Sequence, residues 1–261
     1  MNSYNHTQKW EIEFLESEEV LRSKNFGITA QAKKVRYPVR LLRYWFGYHL
    51  LAEECRRAGR PIDVAEIGIH NGQMLLFAKL AASKVKDPAQ VLQFASWLGV
   101  DAVLKHDRLA KAGYTELQEA NLEDADFQIA QPCDTAICLH VFEHLSDPEE
   151  VLRKIALSVR PGGSVIGGFP VLPHFLIGMR ERQVRKTAQP MGHVSIFSPQ
   201  RVKSMAESAG LKLEFSAGAF FMRRKGSAIE NSPSWLKFNL RWGETFPWWP
   251  GEIYWLARKE K

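Results

Sequence analysis

Two short stretches of the chain concentrate side chains able to do chemistry. Residues 64–73 read VAEIGIHNGQ and bring together Glu66, Gly68, His70 and Gly72. Residues 133–148 read CDTAICLHVFEHLSDP and carry His140, Glu143 and His144. Each stretch begins as an apolar strand, turns, and continues as a helix, so its polar residues stand at the strand's carboxyl end. In open parallel α/β sheets that edge is where ligands bind. Histidine changes charge near neutrality and suits proton transfer. His140, His144, His174 and His193 are therefore candidate bases, against the commoner structural role of a lone histidine.

The elements that must position these residues are legible around them. An amphipathic helix is expected over residues 10–22, and a second from near Pro38 to Gly59, with proline suiting a first turn and glycine a carboxyl-terminal cap. Residues 1–60 thus form a helical cap. Its middle is basic and aromatic, including Lys33, Lys34, Arg36, Arg40, Arg43, Tyr44 and Trp45. From Ile62 strands alternate with helices, the pattern of a doubly wound sheet. Strands are expected at residues 62–69, 97–103, 115–121, 134–141, 164–171, 212–222 and 252–259, with a long link at 84–96. The helix after 147 has Asp147 as N-cap, Pro148 in its first turn and Glu149 and Glu150 at the positive end of its dipole. Arg160, Pro161, Gly162 and Gly163 read as the turn feeding the next strand. Residues 172–198 read as a loop facing the substrate, with Arg180, Arg182, Arg185 and Lys186. An insertion at 223–250 is rich in Trp and Pro, and either stacks on sugar faces, meets a membrane, or packs on the sheet.

Composition narrows the class. The chain has 261 residues, 45% of them hydrophobic, which suits one folded α/β domain with additions. Three cysteines without a CxxC pair favour buried thiols in a reducing compartment, and no zinc-finger cluster is present. The amino terminus is polar and acidic, unlike a secretory signal, and no run approaches the roughly 18 apolar residues of a membrane span. A cytoplasmic protein is expected. The net charge of +6 is modest; anionic sugars, lipid phosphates or a membrane face would account for it as well as nucleic acid.

Together the two stretches resemble the class I S-adenosylmethionine-dependent methyltransferases, over roughly residues 61–222 and the last strand. The most specific part runs DTAICLHVFEHLSDPEEVLRKIALSVRPGG, with histidine at the end of the fourth strand, then Glu-His-Leu, a capped helix and Pro-Gly-Gly. The resemblance implies a mostly parallel seven-stranded sheet and S-adenosylmethionine as cofactor. It places Glu66, Gly68, His70 and Gly72 in the first cofactor motif, where His70 replaces the family's middle glycine. It assigns Asp101 to the ribose hydroxyls and the Asn121–Leu122 pair to adenine, and it turns His140 toward the transferable methyl group, where it lines the cofactor pocket. His140, His193 and His144 are then the candidate catalytic residues. The family's segment at 191–199 borders the acceptor pocket. A partial likeness of 140–144 to a magnesium-binding pattern lacks the first ligand, so no metal is expected.

The implied reaction is methylation of a hydroxyl on a small molecule or glycan, an acceptor that is anionic or lipid-linked, with peripheral membrane contact as a further expectation. Family members that methylate nucleic-acid amines carry a Pro-Pro-aromatic motif where HVFEH stands here, so nucleic acid is not an expected partner. Two alternatives stay open. One is an NAD or nucleotide-sugar oxidoreductase on a related sheet, which His70 disfavours by crowding a pyrophosphate. The other is a non-catalytic methyltransferase-like partner module.

Overall fold

The computed structural model describes residues 7, 10–12, 35–88, 91–179, 194–222, 227–249 and 251–260. Seven strands form one sheet in the order β3-β2-β1-β4-β5-β7-β6. They are β1 (Ile62–Ile67), β2 (Phe94–Asp101), β3 (Glu116–Glu119), β4 (Cys133–Leu139), β5 (Val159–Val171), β6 (Leu211–Gly218) and β7 (Gly251–Lys259). Every pairing is parallel except those of β7, which runs antiparallel to both β5 and β6. The order reverses between β1 and β4, and that switch point opens a crevice at the strands' carboxyl ends.

Alternate residues of each strand feed two cores, as a pleated strand requires. Val64, Ile137, Tyr254 and Leu256 point to one face, where they meet α1 (Leu42–Ala58) and α2 (Gln73–Ala82). Ala65, Cys138, Ile253 and Trp255 point to the other, under α4 (Pro148–Ser158) and α5 (Pro199–Ser208). A short helix, α3 (His106–Ala112), follows β2. The expected second helix is present as α1 and ends at Gly59 with φ 66°. It lies on the sheet itself: Trp45, Phe46, Tyr48, Leu50 and Leu51 are fully buried, and Phe46 stacks on Tyr254 with ring centroids 4.4 Å apart. Most of the expected 10–22 helix, Lys33 and Lys34, the loop arginines at 180–185, Lys186 and His193 lie outside the described residues.

Three local readings change. β2 begins at Phe94 inside the expected link, because Ser96 and Trp97 already pair with Asp63 and Val64. Residues 160–163 are a bulge within β5 and not a turn before it: Cys133 pairs with Val159, and the next registered pair is Thr135 with Ser164. The Trp-rich insertion contains a thirteen-residue helix, α6 (Pro233–Thr245), whose Ser232 side chain accepts the Trp235 N–H. Serine before proline opens α5 in the same way at Ser198, so the signal was present in the sequence and hidden by the aromatic composition.

Candidate active site

The first site loop is built by three residues in left-handed backbone conformation. Gly68 has φ 74°, His70 φ 48° and Gly72 φ 72°. Gly68 could carry no side chain, since a Cβ there would run into Val141. His70 stands where a glycine is expected, yet histidine is among the residues that tolerate this conformation. The substitution therefore keeps the turn. Its backbone N–H donates to Asp101 Oδ2 at 2.7 Å, while Asp101 Oδ1 accepts the Val103 N–H at 3.3 Å. Asp101 at the end of β2 thus fastens the loop after β1. The His70 ring is exposed, 3.5 Å from Lys105 Nζ, and that ammonium donates to Asn71 at 3.3 Å.

Glu66 is buried under this loop. Its Oε2 accepts from Trp97 Nε1 and from Tyr114 Oη, both at 2.9 Å. Burial pushes its carboxyl up to about 8, against the two hydrogen bonds, so it is largely protonated at neutral pH. Trp97 and Tyr114, the residues that hold it, carried no signal in the sequence beyond being aromatic.

The second loop leaves β4 through His140, whose φ of 59° is again left-handed and whose N–H donates to the Gly168 carbonyl at 2.7 Å. The imidazole sits between two buried carboxylates. Nδ1 lies 3.2 Å from Glu143 Oε1 and Nε2 lies 3.5 Å from Glu252 Oε2. Burial alone would lower the histidine's pKa; the Glu252 charge and the two carboxylates flanking the ring outweigh it and raise it. Glu252 also accepts from Tyr254 Oη at 2.6 Å and stands 3.8 Å from the Arg43 guanidinium of α1. Within this cluster Arg43 Nε, His140 Nε2 and both Glu143 oxygens are buried without a well-formed hydrogen bond among the described residues. Unsatisfied buried polar atoms are costly, and their concentration here marks a place shaped for a ligand.

Between the two loops lies a cleft of about 370 Å³, lined by Glu66 to Asn71, Met74, Ile137, Leu139 and His140, and from α1 by Arg40, Arg43 and Tyr44. Of the residues expected to form the site, Glu66, Gly68, His70 and His140 come together here. Gly72 caps α2 behind the loop, and Asp101 braces it from β2. His144 is exposed in the turn after His140 and does not line the cleft, which argues against its expected catalytic role. His174 is exposed as well. Asn121 also departs from expectation: its amide donates to Asp124 and its oxygen accepts the Glu123 N–H, so it caps its own turn, while Leu122 is buried in the core. Arg43 and Glu252 were not singled out as a pair, because nothing in the sequence relates residues so far apart.

Residues 41–214 match the family described as "Methyltransferase domain", beginning at α1, ahead of the stretch that carried the resemblance. A ubiquinone biosynthesis O-methyltransferase of Aeromonas salmonicida is 30% identical over 113 residues, covering 41% of this chain and 47% of that protein. The chain thus spans about half the length of the curated relatives it matches. Among solved structures, an O-methyltransferase family protein from Burkholderia thailandensis superposes with a TM-score of 0.53 at 15% identity, over 95% of this chain and 67% of that one. A sarcosine dimethylglycine methyltransferase from Galdieria sulphuraria superposes with a TM-score of 0.53 at 13% identity, over 82% and 85%. These likenesses agree with the strand order.

The site's chemistry fits S-adenosylmethionine. The left-handed loop brings backbone close to a ligand, and the Asp101 carboxylate that braces it suits a ribose diol. By its fold, its site and the family match, the chain belongs to the methyltransferase domain family, with S-adenosylmethionine as its cofactor.

Proposed function

We propose that the protein methylates a hydroxyl oxygen of a small, anionic acceptor. The observation that carries this reading is the His140 cluster at the acceptor end of the cleft: an imidazole held between Glu143 and Glu252, beside Arg43. Bound S-adenosylmethionine supplies an electrophilic methyl group on a sulfonium. The chain's own part is alignment and proton transfer. Gly68, His70 and Asp101 fix the cofactor side. Arg43, with Arg40 next to it along the wall, draws the acceptor's negative charge into the cleft and sets its angle.

His140 receives the acceptor's hydroxyl proton, and the two carboxylates stabilise the imidazolium that forms. A carboxylate behind a histidine base plays this part in unrelated enzymes. Because the cluster raises the pKa of His140, the base is strong but works only when the pH has risen past that value. The cleft wall suits an anion for a second reason: the Glu66 carboxyl that lines it is mostly protonated. The 30% identity to a ubiquinone O-methyltransferase supports oxygen as the methylated atom. It does not select the acceptor.

The test is transfer of labelled methyl from S-adenosylmethionine to a panel of phenols and alcohols, each with and without a carboxylate or phosphate. Turnover confined to the anionic hydroxyl compounds, with KM raised about tenfold or more in Arg43→Gln, is expected; loss of a charge-assisted hydrogen bond has that size. Transfer only to amines, or indifference to acceptor charge, would overturn the proposal.

A further inference from the structure

Helix α6 has two apolar sides, and among the described residues one of them is buried on the sheet. Leu236, Asn239, Leu240 and Gly243 are buried toward β6. Gly243 meets the backbone of Gly218 so closely that it has no room for a Cβ. The helix is thereby pressed onto the sheet edge along that stripe. The second stripe is Trp235, Phe238, Trp242 and Phe246, at helical spacing along the neighbouring side. It is widened by Phe221 and Trp249, which stack with centroids 5.5 Å apart, as Trp235 and Phe238 do at 5.4 Å. The rings form a plate and not a core: Phe238 and Trp248 are each 42% exposed and Met222 is 45% exposed. An exposed apolar patch of this breadth marks an interaction surface.

The fully exposed charges of α6 are cationic. Lys237 and Arg241 are exposed on α6, one turn apart. The acidic neighbours are withdrawn: Glu230 is buried, and Glu244 accepts from the Thr7 hydroxyl. The chain as a whole carries +6. Tryptophan and phenylalanine flanked by long cationic side chains is the composition of a segment lying in a bilayer's headgroup layer, where rings enter the acyl boundary and cations reach phosphates. A sugar-binding platform would need polar partners at the ring edges, and lysine and arginine there suit phosphate better.

The plate also lies near the cleft's end of the sheet. β7 starts at Gly251, paired with Val171 at the end of β5, so the residues just before it lie at the same sheet edge as the cleft. The turn leading into α6 is tied to the segment leading to Arg40: the Tyr37 N–H donates to the Glu230 carbonyl at 2.9 Å, and the Arg36 N–H to Asn231 Oδ1 at 2.8 Å.

We propose that the aromatic plate on α6 is a docking surface for an anionic lipid bilayer, which brings the mouth of the cleft to the membrane surface. Among the described residues no helix is long and apolar enough to cross a membrane, so the contact is peripheral. The proposal does not rest on the acceptor assigned above, and its test reads binding alone. The full chain is sedimented with vesicles of phosphatidylcholine, with or without phosphatidylglycerol. Binding is expected with phosphatidylglycerol, weakened by added salt, and reduced about tenfold or more in Phe238→Ser/Trp248→Ser and less in Lys237→Glu. S-adenosylhomocysteine affinity, unchanged in these variants, reports that they are folded. No sedimentation with either vesicle, or binding that the variants leave intact, would overturn the proposal. Capture by immobilised oligosaccharides without lipid binding would overturn it in favour of a sugar surface.

Discussion

The two ends of the sheet each carry a buried cluster of arginine and carboxylate, and they are built to opposite standards. At the amino end Glu54 is 2% exposed at its side chain and accepts from Arg258 through both oxygens at 2.9 Å, from Arg57, and from Ser164 at 2.7 Å. Arg258 also reaches Glu214 and the Gly162 carbonyl. At the carboxyl end Arg43, Glu252, His140 and Glu143 form a chain with steps of 3.8, 3.5 and 3.2 Å, several of its atoms lack a hydrogen bond among the described residues, and His140 is held at positive φ. A fully satisfied buried cluster stiffens a fold; a partly satisfied one holds strain that a ligand can relieve. The same residue types therefore serve stability at one end of the strands and recognition at the other.

That contrast can be broken most directly at its two anchors. Removing Glu54 leaves Arg258 buried without its main partner, so Glu54→Ala is expected to lose about 3–5 kcal/mol of stability in urea unfolding while the folded fraction still binds S-adenosylhomocysteine. A loss below 1 kcal/mol would place the amino-end cluster among ordinary surface pairs. Asp101→Ala should do the reverse. Stability changes little, and cofactor binding falls about a hundredfold or more, because the loop loses its brace and the ligand two hydrogen bonds.

Smaller effects sharpen the picture. Glu252→Gln removes the charge that contributes most to raising His140, so the acid limb of the turnover profile should move to lower pH, with the maximum rate falling about tenfold. An unmoved limb would mean that His140 is not the titrating base. Glu66→Gln keeps the acceptor for Trp97 and Tyr114 but cannot ionise. The native carboxyl titrates near 8 and the unfolded one near 4.5, so wild-type stability declines as the pH rises between those values. Melting temperatures of the two proteins should coincide below that window and separate through it, with the variant a few degrees higher above pH 8. Parallel curves would show that Glu66 ionises freely.

How much of this was legible beforehand differs along the chain. Strand alternation, the Asp147 N-cap, the glycine turns at 68 and 72 and the positions of Asp101 and His140 were readable because each rests on residues close in sequence. The bulge at 160–163 was not, since a bulge depends on register with a partner strand. Helix α6 was obscured by its tryptophans, which mark a surface and not a core. The Arg43–Glu252 contact joins the first described helix to the last strand, a pairing made only by the antiparallel insertion of β7 beside β5. Asn121 is engaged locally, since Asp124, three residues on, accepts from its amide, a contact that the strand pattern alone does not announce.

The most direct test of the central claim is calorimetric titration of the full chain with S-adenosylhomocysteine, wild type beside Asp101→Ala. Tight, stoichiometric binding to the wild type, lost in the variant while its melting temperature holds, is expected. No binding by the wild type, or equal binding by both, would contradict it.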